Sequence, residues 1–261
     1  MNFGSNKTIV VHCYAKNDSE YFKILDSHFY WLKKYSFIFN RAIFVIAMDD
    51  INDDELKNLV IENAYCAFGK EKTKIKVVQN DKRLYEVPTF IEYVLNNEDL
   101  DGLVFFCHTK GGNRTNQNTM KWISCMYFYN LNFMDDVTSK LDKQNGVFYG
   151  TLVHYTNGNP MLNKNNVMYA GNFFWVDICK FRSLFKSSGI KTEDLMKDRY
   201  QIENLPGELQ TICELNTLNN VNFYWGEIHT YYGDYEKIVK KLGFENEFWG
   251  EYNKMVNNIV N

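Results

Sequence analysis

A chain of 261 residues with 45% hydrophobic and 16% aromatic side chains can bury a sizeable core as one large domain, and its formal net charge of −3 excludes the basic surplus of a nucleic-acid binder. Six cysteines (Cys13, Cys66, Cys107, Cys125, Cys179, Cys213) without CxxC spacing point to buried free thiols in a reducing compartment rather than disulfides or zinc. No apolar run approaches the roughly 18 residues that span a bilayer, and the polar opening Met1–Lys7 lacks a secretory h-region, so a cytoplasmic protein is expected.

Thr8–Tyr14 reads as a first strand, too apolar at Ile9, Val10 and Val11 for an edge. Phe22, Leu25, Phe29 and Leu32 then recur at helical spacing. A second strand, Arg41–Ala47, runs into Met48-Asp49-Asp50, and Asp53-Asp54-Glu55 favours the positive end of a following helix. Lys74–Val78 is a third strand, and Pro88 announces a helix to Leu95. Leu103–Cys107 is a fourth strand, apolar at every position, as in a strand buried on both faces. This β-α-β-α-β-α-β alternation predicts an α/β fold: a Rossmann-type, mostly parallel central sheet with helices on both faces, in a single domain. Neither a GxGxxG stretch after the first strand nor a GxxxxGK[ST] stretch is present, which disfavours ordinary dinucleotide binding and P-loop chemistry.

Further on, helices are expected over Thr119–Leu131 and Asp135–Leu141, and a strand over Gly146–Gly150. A polar loop, Thr156–Asn166, has a composition suited to a substrate-facing or mobile segment. A strand over Tyr169–Val176, a helix from Asp177 to Phe185 and a helical region from Lys191 to Leu215 follow. The chain closes with a strand at Val221–Trp225 and a helix over Tyr235–Asn257.

Ligands of open α/β sheets bind at the carboxyl ends of the strands, which directs attention to His108-Thr109-Lys110-Gly111-Gly112. Lys110 is a point charge suited to phosphate, and paired glycines let backbone approach a ligand closely. Taken alone, the segment also reads as a solvated strand exit. Tyr14, Asp49 and Asp50 end strands on the same edge; the acidic pair suits ribose, base or metal, or equally a helix-leading turn. Asp99-Leu-Asp101 precedes its strand and so lies at the wrong end for a metal site.

Four patterns carry a resemblance: Val87-Pro-Thr89, Phe105-Phe-Cys-His-Thr-Lys-Gly111, Trp122-Ile-Ser-Cys-Met-Tyr-Phe128 and Tyr169-Ala-Gly-Asn-Phe-Phe-Trp175. Their order and spacing resemble a family of glycosyltransferase-like proteins of polysaccharide, capsule and lipopolysaccharide biosynthesis, with motifs PTL, YxHTKG, WRxxMxYF and SGNFWW. The likeness runs from about residue 87 to 203. Ile123 stands where the family tends to have Arg, losing a phosphate or acceptor contact, and Ala170 where it often has Ser.

The resemblance implies a GT-A-like fold, with a nucleotide-binding half over about residues 8–112 and an acceptor half over 113–261. It implies transfer of a sugar from a nucleotide-diphosphate donor to a glycan or lipid-linked acceptor, the latter compatible with peripheral membrane association. Donor contacts would be His108, Thr109, Lys110, Gly111, Tyr14, Asp49 and Asp50. Acceptor contacts would be Asn172, Phe174, Trp175 and Trp122, although aromatic stripes of this kind are more often core. Arg199-Tyr-Gln-Ile-Glu203 resembles the family's Arg-x-x-x-Glu, making Glu203 the first candidate base and Glu208 the second, against the ordinary reading of a solvated helix face.

Lys110 stands where GT-A enzymes usually place a metal-binding Asp-x-Asp, so no cofactor is expected to be required. Were Mn²⁺ or Mg²⁺ used, Asp49 and His229 would be the ligands to examine. The alternative reading is a non-catalytic nucleotide- or glycan-binding protein that retains the fold.

Overall fold

Strands with apolar side chains at consecutive positions need cover on both faces, and the computed structural model supplies it. It describes residues 6–109, 117–155, 167–215, 222–228 and 235–260. Strands β1 (Lys7–Ala15), β2 (Arg41–Met48), β3 (Thr73–Gln79) and β4 (Leu103–His108) pair in parallel in the order β3-β2-β1-β4. Helices α1 (Ser19–Tyr35), α2 (Asp54–Phe68) and α3 (Val87–Phe90) connect them. Alternate residues of the strands enter two separate cores. Ile9, Val11, Cys13, Phe44 and Phe105 pack beneath α1, α2, α4 (Gln117–Leu131) and α10 (Glu245–Val260). Val10, Ile43, Val45, Val104 and Phe106 pack beneath α3, α6 (Ile178–Ser188) and α8 (Gln201–Leu215).

Beyond β4 the sheet continues through β7 (Phe174–Asp177), β5 (Gly146–Tyr155) and β6 (Val167–Tyr169), each antiparallel to its neighbour, while β8 (Asn222–Ile228) pairs parallel with β5. Among the described residues four of seven strand pairings are therefore parallel, the expected mostly parallel α/β class. At the edge, β3 exposes Lys74 and Lys76 while Ile75 and Val77 pack inward, and charges of this kind discourage edge-to-edge association.

Several elements differ from their expected extents. The strand over Tyr169–Val176 is interrupted by a turn at Ala170–Asn172, where Gly171 (φ 68°) and Asn172 (φ 56°) are left-handed and cannot continue a ladder. The Lys191–Leu215 helix is two, α7 (Thr192–Leu195) and α8, separated by a turn in which Asp198 accepts from the backbone of Tyr200. The closing helix is also two, α9 (Tyr235–Leu242) and α10, divided at Gly243 (φ 81°) and Phe244 (φ 59°). Met134–Thr138 (α5) and Val87–Phe90 (α3) each run on into a π-turn. The π-turn after α3 is closed by Arg182, whose guanidinium donates to the carbonyls of Val94, Leu95, Asn97 and Leu100 at 2.5 to 3.1 Å. All six cysteines are free, but Cys66 and Cys179 are exposed, not buried. No helix among the described residues is long and apolar enough to cross a membrane.

Candidate active site

Parallel strands set side by side bring their carboxyl ends to one edge, and the polar residues ending β1, β2 and β4 meet there. Thr109 fastens two of these ends. Its backbone N–H donates to His12 O (2.9 Å); its hydroxyl accepts from Tyr14 N (2.9 Å), approaches Tyr14 O (3.3 Å) and lies 3.3 Å from the Tyr21 hydroxyl. Buried and engaged in this way, Thr109 is a clasp between strands; its expected role as a direct donor contact is corrected on that ground.

Tyr14 and Asp49 occupy the rim. The Tyr14 hydroxyl donates to Asp49 Oδ2 (3.0 Å), Asn80 Nδ2 donates to Oδ1 (2.8 Å), and Lys82 Nζ lies 3.3 Å from Oδ2. The hydrogen bond from Asn80, with those from Tyr14 and Lys82, holds the Asp49 carboxyl below its usual range, while burial and Asp49 push the Tyr14 phenol up to about 12. A divalent ion fits Asp49 poorly, since both oxygens already accept hydrogen bonds and an ammonium group stands beside one. Asp50 is exposed and accepts from Asn52 N (2.9 Å), the helix-leading turn of the plainer reading.

Deeper in the edge lie two histidines. His12 and His108 are register partners across β1 and β4. His12 Nδ1 is 2.8 Å from Thr89 Oγ1, and burial depresses its pKa to about 4 despite Glu86 nearby, so it is neutral at physiological pH. His108 Nδ1 stands 3.8 Å from Glu86 Oε1, and the same oxygen accepts from Asn172 Nδ2 at 2.6 Å. Glu86 immediately follows Tyr85, a left-handed residue (φ 48°), and Asn172 is left-handed too. Conformations this costly persist where surrounding contacts over-determine them, and they cluster at functional sites.

Phe173 joins the motif segments. Its ring, 1% exposed, meets Trp122 (5.5 Å between centroids) and Tyr127 (5.1 Å) edge-on, and packs against His108 (6.0 Å). Segments far apart in sequence thus converge on Phe173 and Glu86.

The aromatic acceptor contacts, however, are corrected. Phe174 and Trp175 are wholly buried because β7 lies antiparallel beside β4, pairing Phe106 with Phe174 and Phe105 with Trp175 between the two helical layers. Trp175 Nε1 donates to Asn130 O (2.8 Å), and its ring stacks on Phe39. Trp122, 2% exposed, is a packing residue. Asn172 reaches the site, but as a buried partner of Glu86, not as an exposed sugar contact.

Glu203 and Glu208 are both nearly buried on α8, flanking the stripe of Ile202, Leu205 and Leu209 that enters the core. Five residues apart on a helix, they point about 140° from one another, so they do not share a face. Burial, with Asp194 adding to it, raises the Glu208 carboxyl above the ordinary carboxylate range, the direction that favours a proton acceptor. At the lead into α8, the Arg199 guanidinium lies over the rings of Tyr85 (5.0 Å) and Tyr200 (4.5 Å), close enough to Glu86 for their charges to interact. Lys110, Gly111, Gly112, His229 and the Thr156–Asn166 loop lie outside the described residues.

Between the ends of β2 and β3 and the Tyr85–Tyr93 segment, a cleft of about 80 Å³ opens, walled by His12, Thr89, Gln79, Tyr85, Glu92 and Tyr93. Glu86 and His12 escaped the reading of the sequence. The available signals were a histidine inside an otherwise apolar strand and a carboxylate directly before a helix-opening Val-Pro.

No family model matches this sequence, and no curated protein matches it. Among solved structures, 4-diphosphocytidyl-2C-methyl-D-erythritol synthase from Anaerococcus prevotii superposes with a TM-score of 0.39 at 12% identity, over 85% of this chain and 90% of its own. A likeness that weak carries no functional weight.

Proposed function

We propose that the chain is a glycosyltransferase that moves a sugar from a nucleoside-diphosphate donor to a glycan or lipid-linked acceptor. The observation that carries this reading is the convergence of the motif segments on the carboxyl edge of the parallel sheet, with Glu86, His108 and Asn172 in contact there. The acceptor hydroxyl oxygen attacks the anomeric carbon and gives its proton to a carboxylate. The bond from that carbon to the phosphate oxygen breaks, and its electron pair leaves with the diphosphate. Charge developing on the leaving oxygen needs a positive partner. Lys110, which follows β4 in the sequence, is assigned that role, with Gly111 and Gly112 next in the chain as candidate N–H donors and Tyr14 and Asp49 on the nucleoside side. Glu208 is the better candidate base on its raised carboxyl, and Glu203 the alternative.

A thermal-shift panel of nucleoside-diphosphate sugars tests this reading, because a bound donor stabilises the folded chain by mass action. One donor should raise the melting temperature and be hydrolysed slowly without acceptor. Stabilisation without hydrolysis or transfer leaves a binding protein that keeps the fold, and no response across the panel overturns nucleotide-sugar binding altogether.

A further inference from the structure

The transfer chemistry leaves Glu86 without a task, yet it is among the most constrained side chains of the site. It is 6% exposed, follows a left-handed tyrosine, and holds a left-handed, wholly buried asparagine by a 2.6 Å hydrogen bond. A buried carboxylate is costly without a positive or hydrogen-bonding partner. It is also out of place by simple Coulomb reasoning, since a negative charge beside a diphosphate site opposes binding.

We propose that Glu86 is a positioning residue, the buried counter-charge that holds His108 as an imidazolium and ties it to Asn172, so that β4 ends in positive charge facing the donor diphosphate. The proposal rests on the transferase reading of this site. Its geometry is the single oxygen, Oε1, shared by Asn172 Nδ2 and, at 3.8 Å, by His108 Nδ1. Among the described residues, charged or titratable groups that interact with this pair include His12 on β1 and Arg199 before α8, Tyr85 directly precedes Glu86, and the Phe173 ring packs on His108. His12, buried and tied to Thr89, is neutral, so it does not compete with His108 for the Glu86 carboxylate.

Glu86→Gln separates charge from shape, since its amide oxygen can still accept from Asn172. The measurement is the affinity of wild type and variant for UDP, GDP and CDP by calorimetry, with melting temperatures alongside. If Glu86 acts through His108, removing its negative charge weakens diphosphate binding by about ten-fold, while Glu86→Asp retains part of it. If Glu86 merely fills space, the loss of a like charge leaves affinity unchanged or tightens it, and the proposal is overturned.

The second readout needs no ligand. The His108 ring resonance, identified by its absence in His108→Asn, should titrate about one pH unit lower in Glu86→Gln than in wild type, and an unmoved midpoint overturns the pairing. A variant that does not fold is replaced by Asn172→Ala, which leaves the carboxylate to His108 and must keep the wild-type midpoint or raise it; a fall overturns the pairing equally. Should wild type bind none of the diphosphates, the transferase reading fails and this inference with it; should wild type bind and Glu86→Gln bind as well, the inference alone fails.

Discussion

Strand β4 has two different neighbours. On one side β1 runs parallel to it through six register pairs, from Lys7 and Leu103 to His12 and His108; on the other β7 runs antiparallel through four. The parallel side is held mainly by backbone ladders and apolar packing, and Thr109 closes its end. The antiparallel side depends on buried polar contacts as well: Trp175 to Asn130, Asn172 to Glu86, and a left-handed turn at Gly171 and Asn172. The first side is a scaffold, and the second is fastened onto it at the place where chemistry is proposed. Buried polar contacts specify one arrangement more sharply than apolar ones, because a mispaired partner is expensive.

Trp175→Ala breaks the fastening most severely. It empties a wholly buried indole site and strips the Asn130 carbonyl of its partner, so a loss of about 3–5 kcal/mol is expected in chemical denaturation. An acceptor-stacking tryptophan would instead tolerate the change in stability and show its effect in acceptor binding. A cost below about 1 kcal/mol would return Trp175 to the site.

The same comparison explains what the sequence disclosed. Thr8–Tyr14, Arg41–Ala47 and Leu103–Cys107 are legible because burial on both faces leaves an unbroken apolar run, a signal local to each strand. Asp53, which caps α2 by accepting from Leu56 N, is equally local. The Tyr169–Val176 segment misleads because its apolar residues are continuous while its backbone reverses hand at Gly171 and Asn172, which apolar pattern does not encode. At the site, the resemblance brought attention to His108 and Asn172. The carboxylate between them lies just before the matched Val-Pro-Thr, and its role depends on a contact 86 residues distant in sequence. Trp175 shows the opposite case: a motif position that the resemblance marks as a ligand contact is held by packing, while Trp122 packs as an aromatic stripe of this kind usually does.

On the parallel side, His12 gives a pH signature. Its pKa is lowered to about 4 by burial against a usual value of 6.5, so between those limits the unfolded chain binds the proton and the folded chain does not. Stability is then fully present above about pH 6.5 and is lost as pH falls toward 4, by an amount on the order of 3 kcal/mol. Carboxylates titrate in part of the same range, so the measurement is a difference: His12→Gln should flatten the fall in unfolding free energy between pH 6.5 and 4 relative to wild type. Parallel curves would mean that the histidine is protonated in place or that the site opens to water.

The smallest effect concerns Thr109, where the scaffold passes into the site. Its hydroxyl meets the backbone of Tyr14 and the phenol of Tyr21, extending the β1–β4 pairing past its last ladder bond. Valine has nearly the same shape and cannot make these bonds, so Thr109→Val leaves the Tyr14 N–H without its acceptor and should cost about 1–2 kcal/mol. Thr109→Ser keeps the hydroxyl and should recover most of that loss. If the clasp reading holds, valine lowers the unfolding free energy measured without ligand, and whatever donor affinity it loses comes from displacement of the residues that follow. If Thr109 instead touches the donor, the stability of the free protein stays near wild type and the defect appears only on binding. Unfolding curves with and without a stabilising nucleoside diphosphate separate the two, because a clasp defect is already present in the first curve whereas a contact defect appears only as a smaller gap between them.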